Sequence, residues 1–351
     1  MANLQKIGRS TVYNKIMTPE KLEQCNAENL QLMEDYLDYM ASIDRSKTTM
    51  TQYKYNMQIF WCWNLEFNNN KFFVDLTKRE LAKFQNHAIN VWGWSPKRIR
   101  TVKATLSSLS NYIENILDDE YDGYRPIIRK IENPANVAVR GKSIFTEQEL
   151  QRLLNHLVEN KQYDRACLLS LAMNSGRRKA ELARFKVEYF DVKNLICNDA
   201  LYKTPEKMVT KGKGSRGKLL SVYTLATPFE PYLDLWMEER ERLGIKSEWL
   251  FVKKKGRDYT NERIPVSTID TWANSFSKFF NRPFYWHSMR HFFTTKLSEA
   301  NFPESVIQEI VGWESADMVR LYTDTAAEDK FEKYFDKDGI KVVKQSTLEE
   351  I

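Results

Sequence analysis

The chain has 351 residues, of which 42% are hydrophobic types, and a formal net charge of +6 at pH 7. At ~150 residues per domain, this length predicts two or three domains with packed cores. No apolar run reaches the ~18 residues that a membrane-spanning helix needs. The N-terminal sequence also lacks the apolar core of a signal peptide. Secreted and membrane classes are therefore excluded, and we expect a cytoplasmic protein.

The four cysteines are scattered along the chain, at Cys25, Cys62, Cys167 and Cys197. No Cys-x-x-Cys pair is present, which excludes a zinc finger. We expect all four to be reduced packing residues in a reducing compartment.

Positive charge is concentrated in four stretches, at residues 97–103, 125–142, 203–218 and 253–257. Each stretch has at least four Lys or Arg residues and at most one acidic residue. A solvated surface explains any single stretch equally well. Four together favour a surface that follows nucleic-acid phosphates.

The first half of the chain has the periodicity of helices. Apolar residues recur at helical spacing over residues 30–40 and again over 49–64. A Thr-x-x-Glu capping box at Thr77 predicts the start of a third helix. Ser95 followed by Pro96 predicts the start of a fourth.

The helix that starts at Pro96 has an apolar face and an opposite polar face. Cations suit phosphates and short polar groups suit base edges, so the polar face has the chemistry to enter a DNA groove. An ordinary solvated helix face is the alternative. The predicted DNA contacts on and beside this face are Lys97, Arg100, Lys103, Ser107 and Asn111.

Residues 123–142 interrupt the helical pattern with glycines and prolines among basic residues, which predicts an extended interdomain linker. A capping box at Thr146 then opens a mixed domain, with short strands predicted over residues 195–222. The fold class is therefore mainly α with a small antiparallel sheet (α+β). The predicted division is an N-terminal tail at 1–25, a helical domain at 26–122, the linker at 123–142, a second domain at 143–335 and a C-terminal tail at 336–351.

Two of the four histidines lie in one motif, His287-Ser-Met-Arg290-His291. On a helix these three residues share one face at the first turn. A helix N-terminus with an imidazole and a guanidinium is a natural anion site. A structural polar network is the commoner role of an isolated His-x-x-Arg.

Three further residues could belong to the same site. Arg178 lies at a predicted helix start, with Glu181 three residues later to orient it. Trp313 follows a glycine that ends a helix, and Tyr322 lies nine residues further on. Each of these signals is weak when taken alone.

Taken in order, these segments resemble the tyrosine recombinase (phage integrase) family. The motifs of that family are Thr-Gly-x-Arg-x-x-Glu-Leu, a Gly-Lys-Gly hairpin, His-x-Leu-Arg-His, Leu-Gly-His/Trp and a tyrosine nine residues later. Counterparts of all five occur in the same order across residues 175–323. The resemblance implies a helical core DNA-binding domain at 26–122 and a catalytic domain at 143–335.

The resemblance also implies a mechanism centred on Tyr322. This residue would attack a DNA phosphodiester and form a 3′-phosphotyrosyl link, while Arg178 and Arg290 hold the non-bridging oxygens. Two planar, permanently charged guanidiniums can stabilise that charge without a metal. The sequence has no carboxylate cluster suited to Mg²⁺ and no P-loop, so we expect no cofactor.

The remaining roles are also carried over from the resemblance. Lys213 would protonate the 5′-oxygen, and His287 would act as a proton acceptor or a phosphate ligand. Trp313 takes a position where many relatives have histidine, and its indole N–H can still donate a hydrogen bond. Lys211 and Arg216, on the same hairpin as Lys213, are predicted DNA contacts.

Several positions depart from the family pattern. Arg177 occupies a slot that is usually apolar, which leaves two adjacent arginines as candidates; we choose Arg178 for its spacing to Glu181. Lys211 competes with Lys213 in the hairpin, and we prefer Lys213 because it lies between two glycines. His291 matches the motif, and we interpret it as a supporting residue.

The resemblance implies a site-specific recombinase that integrates or excises a mobile element and is encoded by a prokaryote, a phage or such an element. The implied partners are double-stranded DNA at a specific site, other protomers in a homotetramer on that DNA, and accessory DNA-bending or directionality proteins. A monomer in solution is compatible with this scheme. The alternatives are a non-catalytic DNA-binding protein of the same fold and a type IB topoisomerase-like enzyme.

Overall fold

A computed structural model describes residues 16–135, 145–210, 217–256 and 258–313, and the short strands Phe335–Asp336 and Gly339–Ile340. The described residues divide into a first unit before residue 141 and a second unit after residue 142. In these ranges, none of the helices combines the length and apolar character that crossing a membrane requires.

The first unit is built from helices. They are α1 (Pro19–Gln24), α2 (Ala27–Ser42), α3 (Lys47–Phe67), α4 (Lys78–Asn90) and α5 (Pro96–Ile116). The helices predicted over 30–40 and 49–64 are confirmed as α2 and α3. Helix α1 lies inside the segment predicted to be an N-terminal tail, and Thr18 caps it by accepting the Lys21 backbone N–H.

Both predicted helix starts in this unit are confirmed. Thr77 Oγ1 accepts the Glu80 backbone N–H at 3.3 Å, and Glu80 Oε2 accepts the Thr77 N–H at 2.9 Å. Ser95 Oγ accepts the Arg98 N–H at 3.3 Å at the start of α5. Each cap satisfies an N–H that the helix itself leaves without a partner.

An aromatic core holds the helices of the first unit together. Phe60, Trp61 and Trp63 on α3 are each at most 2% exposed, and Phe84 on α4 packs edge-on to Phe60 at 4.9 Å between ring centroids. Burial of one such side chain contributes roughly 1.5–3 kcal/mol, so this cluster is a main source of stability in the unit.

The start of the predicted linker packs on the first unit instead of extending away from it. Residues Ile128–Lys130 form a 3₁₀ turn, and the Ile128 side chain is 3% exposed within the core of that unit. The basic residues obscured this apolar anchor in the sequence.

The second unit contains seven further α-helices in the described ranges. They are α6 (Glu147–Glu159), α7 (Tyr163–Ser175), α8 (Lys179–Leu182), α9 (Glu230–Arg242), α10 (Val266–Phe280), α11 (Trp286–Glu299) and α12 (Glu304–Val311). Every residue of α7 from 166 to 175 is buried. Helices α6, α9 and α11 contact α7, which makes it the central helix of the unit.

Short antiparallel strands complete the second unit and confirm the predicted α+β class. Strands β1 (Leu195–Ile196), β2 (Leu201–Lys203) and β5 (Tyr223–Leu225) form one sheet in the order β1-β2-β5, in which Leu201 pairs with Leu225. The other pairs are β3 (Met208–Thr210) with β4 (Lys218–Leu220), β6 (Val252–Lys255) with β7 (Asp258–Arg263), and β8 (Phe335–Asp336) with β9 (Gly339–Ile340).

The β6–β7 hairpin was not predicted, because its first strand reads as a run of charge. Lys253 pairs with Glu262 on β7 at 2.7 Å, and the Lys254 ammonium lies 5.0 Å from the centroid of the Tyr259 ring. Polar contacts between the two strands therefore stabilise a hairpin whose sequence lacks alternating apolar residues.

The cysteines are free thiols, and three of them match the prediction. Cys25, Cys62 and Cys167 are buried. Cys197 is exposed, so the prediction that all four pack inside the protein is wrong for this residue.

Candidate active site

A glycine turn at the end of α7 brings the first family motif, which begins at Ser175, against α11. Gly176 has φ +60 and its N–H donates to the Ala172 carbonyl at 3.1 Å, which closes the helix. A Cβ atom at this position would lie 2.6 Å from Phe293 Cδ1 on α11. Both the left-handed backbone and the close approach therefore require glycine here.

Arg178 follows this turn and is held by Glu181, as its spacing predicts. The Arg178 Nη1 donates to Glu181 Oε1 at 3.0 Å, and the Arg178 backbone N–H donates to Glu181 Oε2 at 3.2 Å. The Glu181 side chain is 3% exposed and that of Arg178 is 30% exposed. Burial favours the neutral carboxyl, but the charges of Arg177 and Arg178 outweigh it and lower the pKa of Glu181. A buried carboxylate thus fixes a partly exposed arginine.

Arg290 connects the second motif to the first. It lies on α11 with its side chain fully buried, and its Nη1 donates to the Gly176 carbonyl at 3.0 Å. Its guanidinium carbon lies 5.0 Å from the centroid of the Trp313 ring, within the range of a cation–π contact. Arg290 therefore meets residues from two segments that are distant in sequence.

His287 and His291 share one face of the first turns of α11, as the spacing predicts. Their ring centroids are 5.2 Å apart and the rings are close to perpendicular. His287 is exposed to solvent and His291 is half-buried. His287 is thus the more accessible imidazole, on the same helix as Arg290.

The end of α12 supplies the third segment. Gly312 ends the helix with φ +73, and its N–H donates to the Gln308 carbonyl at 2.8 Å. Trp313 is buried in a small hydrophobic cluster with Ile310 and Phe293. The sequence indicated Trp313 as a hydrogen-bond donor, and the structure places its ring beneath the guanidinium of Arg290.

Arg177 was the alternative to Arg178 in the sequence, and the structure buries it among the same segments. Its Nε donates to the Ser175 carbonyl at 3.1 Å, and its Nη2 donates to the Ile310 carbonyl. The side chain is 1% exposed. A charged residue in a slot that is usually apolar in the family was the signal that could have identified this contact.

The candidate nucleophile and the hairpin residues lie outside the described ranges. They are Tyr322, Lys211, Lys213 and Arg216. Within the described ranges, no three His, Cys, Asp or Glu side chains are grouped so that they could hold a metal ion.

The predicted DNA contacts on α5 fall in different environments. Lys97 and Arg100 are exposed and Asn111 is half-buried. Arg100 Nη2 donates to the Pro134 carbonyl at 2.8 Å, and Ser107 Oγ accepts from Arg129 Nε at 3.2 Å. Arg100 and Ser107 therefore also contact the segment that follows the helix.

Lys103 differs from the prediction. Its side chain is buried, and Nζ donates to Gln85 Oε1, to the Ile131 carbonyl and to the Glu132 carbonyl, at 2.9, 2.7 and 3.1 Å. Burial, and then the charge of Arg100, lower the pKa of Lys103. We correct its role from a DNA contact to a structural tie, because its three donors are directed into the protein.

A helical unit is thus followed by an α+β unit in which Arg178, Arg290 and Trp313 come from the family motifs. Comparison with known protein families identifies the class. The chain belongs to the phage integrase family: residues 143–329 match that family, and residues 32–123 match the phage integrase N-terminal SAM-like domain.

Several individual proteins are similar to this chain. The SPbeta prophage-derived recombinase-like protein YomM of Bacillus subtilis (strain 168) is 30% identical over 263 residues, which cover 74% of each chain. Tyrosine recombinase XerA of Pyrococcus horikoshii is 24% identical over 311 residues, which cover 84% of this chain and 89% of the relative.

The solved structures agree at the level of the fold. The Tn1549 transposon integrase in complex with transposon right end DNA superposes with a TM-score of 0.63 at 16% identity, over 87% of this chain and 97% of that one.

Proposed function

We propose that this protein is a site-specific DNA recombinase that breaks and rejoins strands through a covalent link to Tyr322. The observation that carries the proposal is the meeting of three motif segments at Arg290. Its guanidinium donates to the Gly176 carbonyl at 3.0 Å and lies 5.0 Å from the centroid of the Trp313 ring. Membership of the phage integrase family supports the same chemistry.

In the proposed cleavage step, the Tyr322 phenol oxygen attacks the phosphorus of a DNA phosphodiester. The bond from phosphorus to the 5′-oxygen breaks, and a 3′-phosphotyrosyl ester forms. Lys213 gives a proton to the departing 5′-oxygen. Attack by a second 5′-hydroxyl reverses these bond changes, so rejoining needs no external energy source.

The cationic residues compensate for the weak nucleophilicity of the phenol and for the negative charge that grows in the transition state. A phenol with a pKa of ~10 is a weak nucleophile at neutral pH, so it needs a base or a strongly cationic pocket. We propose that Arg178 and Arg290 hold the non-bridging oxygens, where negative charge grows in the transition state. His287 accepts the phenol proton or binds the phosphate. Because Arg290 is buried in this structure, its role requires that DNA binding uncovers it.

We further propose that the substrate is double-stranded DNA at a mobile-element junction. Two similar proteins are a prophage-derived recombinase-like protein and a transposon integrase, and the structure of the second is a complex with transposon end DNA. Exchange between two duplexes breaks four strands, and each tyrosine can hold one of them. The working assembly on DNA is therefore a homotetramer of the cytoplasmic protein, with accessory DNA-bending or directionality proteins as further partners.

A covalent trapping experiment tests this function. The Tyr322→Phe variant is first used to select the DNA duplex that it binds from a pool of randomised sequences. A nicked version of that duplex is then incubated with the native protein. Cleavage next to the nick releases a short fragment, so the protein stays linked to DNA and survives denaturing electrophoresis. A native protein that binds this duplex without forming an adduct would show a non-catalytic DNA-binding protein instead.

Strand exchange separates a recombinase from a topoisomerase-like enzyme. Two duplexes that carry the selected site and differ in length are mixed with the native protein. We expect recombinant lengths to appear. Relaxation of a supercoiled plasmid without recombinant products would favour the topoisomerase alternative.

Lys97 and Lys103 should respond differently to the same substitution. We expect Lys97→Met to reduce the slope of log K against log salt by about 0.9, because an exposed lysine that contacts one phosphate is lost. We expect Lys103→Met to keep this slope and to lower the free energy of unfolding by about 1–3 kcal/mol, because buried acceptors lose their donor. DNA binding at a series of salt concentrations measures the slope, and urea unfolding measures the free energy. A reduced slope for Lys103→Met would restore it as a DNA contact.

A further inference from the structure

Arg177 has a position that the proposed chemistry does not use. Its side chain is 1% exposed, and its hydrogen bonds go to two backbone carbonyls of the protein. Its guanidinium joins two of the motif segments through their backbones. Nε donates to the Ser175 carbonyl at 3.1 Å, and Nη2 donates to the Ile310 carbonyl on the last turn of α12.

The contact with Ile310 is favourable for an electrostatic reason. The last carbonyls of a helix carry partial negative charge and have no partner within the helix. A cation that donates to one of them satisfies the acceptor and complements the helix dipole. Burial lowers the pKa of Arg177 to about 10, against the opposing charge of Glu181, so the guanidinium remains protonated at neutral pH.

The packing next to Gly312 adds a second contact at the same helix end. A Cβ atom at Gly312 would lie 3.3 Å from Arg177 Nη1 and 3.0 Å from Leu220 Cδ1. The guanidinium is therefore closely packed against the glycine that ends α12.

Stability alone does not account for this arginine. Removing the guanidinium leaves the Ser175 and Ile310 carbonyls without this donor and costs stability, as the loss of any buried donor would. An apolar side chain could fill the slot, but it could not hold two carbonyl groups at a fixed separation. The structure therefore favours a role of Arg177 in positioning the two segments over a role in stability alone.

We propose that Arg177 is a positioning residue, which fixes the end of α12 against the segment that carries Arg178. Trp313 follows that helix end, and Tyr322 follows Trp313 by nine residues. Arg177 thereby sets where the tyrosine-bearing segment begins relative to the two clamp arginines. The inference rests on the proposed recombinase function.

The test compares Arg177→Met, Arg177→Gln and Arg177→Lys with the native protein. Two quantities are measured: the first-order rate of adduct formation at saturating nicked duplex, and the Kd for the intact duplex. We expect Arg177→Met to slow adduct formation at least about tenfold, because small displacements of reacting groups are costly. Its Kd should stay unchanged. Arg177→Lys should recover part of the rate, since its ammonium can reach one carbonyl.

Each other outcome has a defined meaning. If the native protein forms no adduct, the proposed function fails, whatever the variants do. If it does, a native rate for Arg177→Met overturns the positioning role, and so does a parallel loss of rate and DNA affinity. Should circular dichroism show that Arg177→Met is unfolded, Arg177→Gln and Arg177→Lys decide, and a native rate in either overturns the proposal. Unfolding of all three variants assigns Arg177 to stability alone and also overturns it.

Discussion

Replacement of Tyr322 by phenylalanine is expected to lower adduct formation by at least about 10⁴-fold, a loss typical of enzymes that lack their nucleophile. The substitution removes one oxygen atom and keeps the aromatic ring. DNA affinity should remain at the native level, because phosphate contacts, not the phenol, determine it. Denaturing electrophoresis with the nicked duplex and a parallel binding titration measure the two quantities.

A matched tyrosine provides the control for this prediction. Tyr285 is exposed next to the start of α11, and phenylalanine at that position should leave adduct formation unchanged. An adduct formed by Tyr322→Phe at a rate close to native would show that another residue is the nucleophile. A simultaneous loss of DNA binding would mean that the substitution disturbs the fold.

The second large effect is expected at Arg290. Lysine at this position keeps the positive charge but removes the planar group that donates to the Gly176 carbonyl and faces the Trp313 ring. We expect Arg290→Lys to reduce the rate of adduct formation by about 10²–10³-fold, the usual cost of losing one preorganised transition-state donor. Single-turnover kinetics at saturating DNA measure this rate.

Arg282 offers the matched control for the lysine substitution. Its guanidinium pairs with Glu149 at 2.6 Å and is partly exposed. A surface ion pair of this kind contributes at most ~1 kcal/mol, so Arg282→Lys should leave the cleavage rate unchanged. Equal rates for Arg290→Lys and the native protein would remove Arg290 from the proposed clamp.

Local signals in the sequence were sufficient for the helix starts and for the residues that share a motif. Thr77 and Ser95 cap their helices through hydrogen bonds to residues three positions later in the sequence. The contact of Arg178 with Glu181 is equally local. Such features depend on neighbours within one turn, so their spacing alone predicts them.

Contacts between distant segments are what the sequence could not supply. Lys103 reads as one more cation on a basic helix, and only the fold shows that carbonyls of residues 131 and 132 surround its ammonium. Arg177 reads as a departure from a motif, and its partner Ile310 lies 133 residues away. A charge pattern does not distinguish a solvated cation from one that is buried against the backbone.

In the proposed mechanism, Tyr322 becomes covalently linked to a 3′-phosphate of DNA. The most direct measurement digests the trapped adduct with trypsin and nuclease and identifies the modified peptide by mass spectrometry. We expect a single nucleotide-bearing residue, Tyr322, together with a free 5′-hydroxyl on the released fragment. A nucleotide on any other residue, or a 5′-phosphate on the released fragment, would contradict the mechanism proposed for this protein.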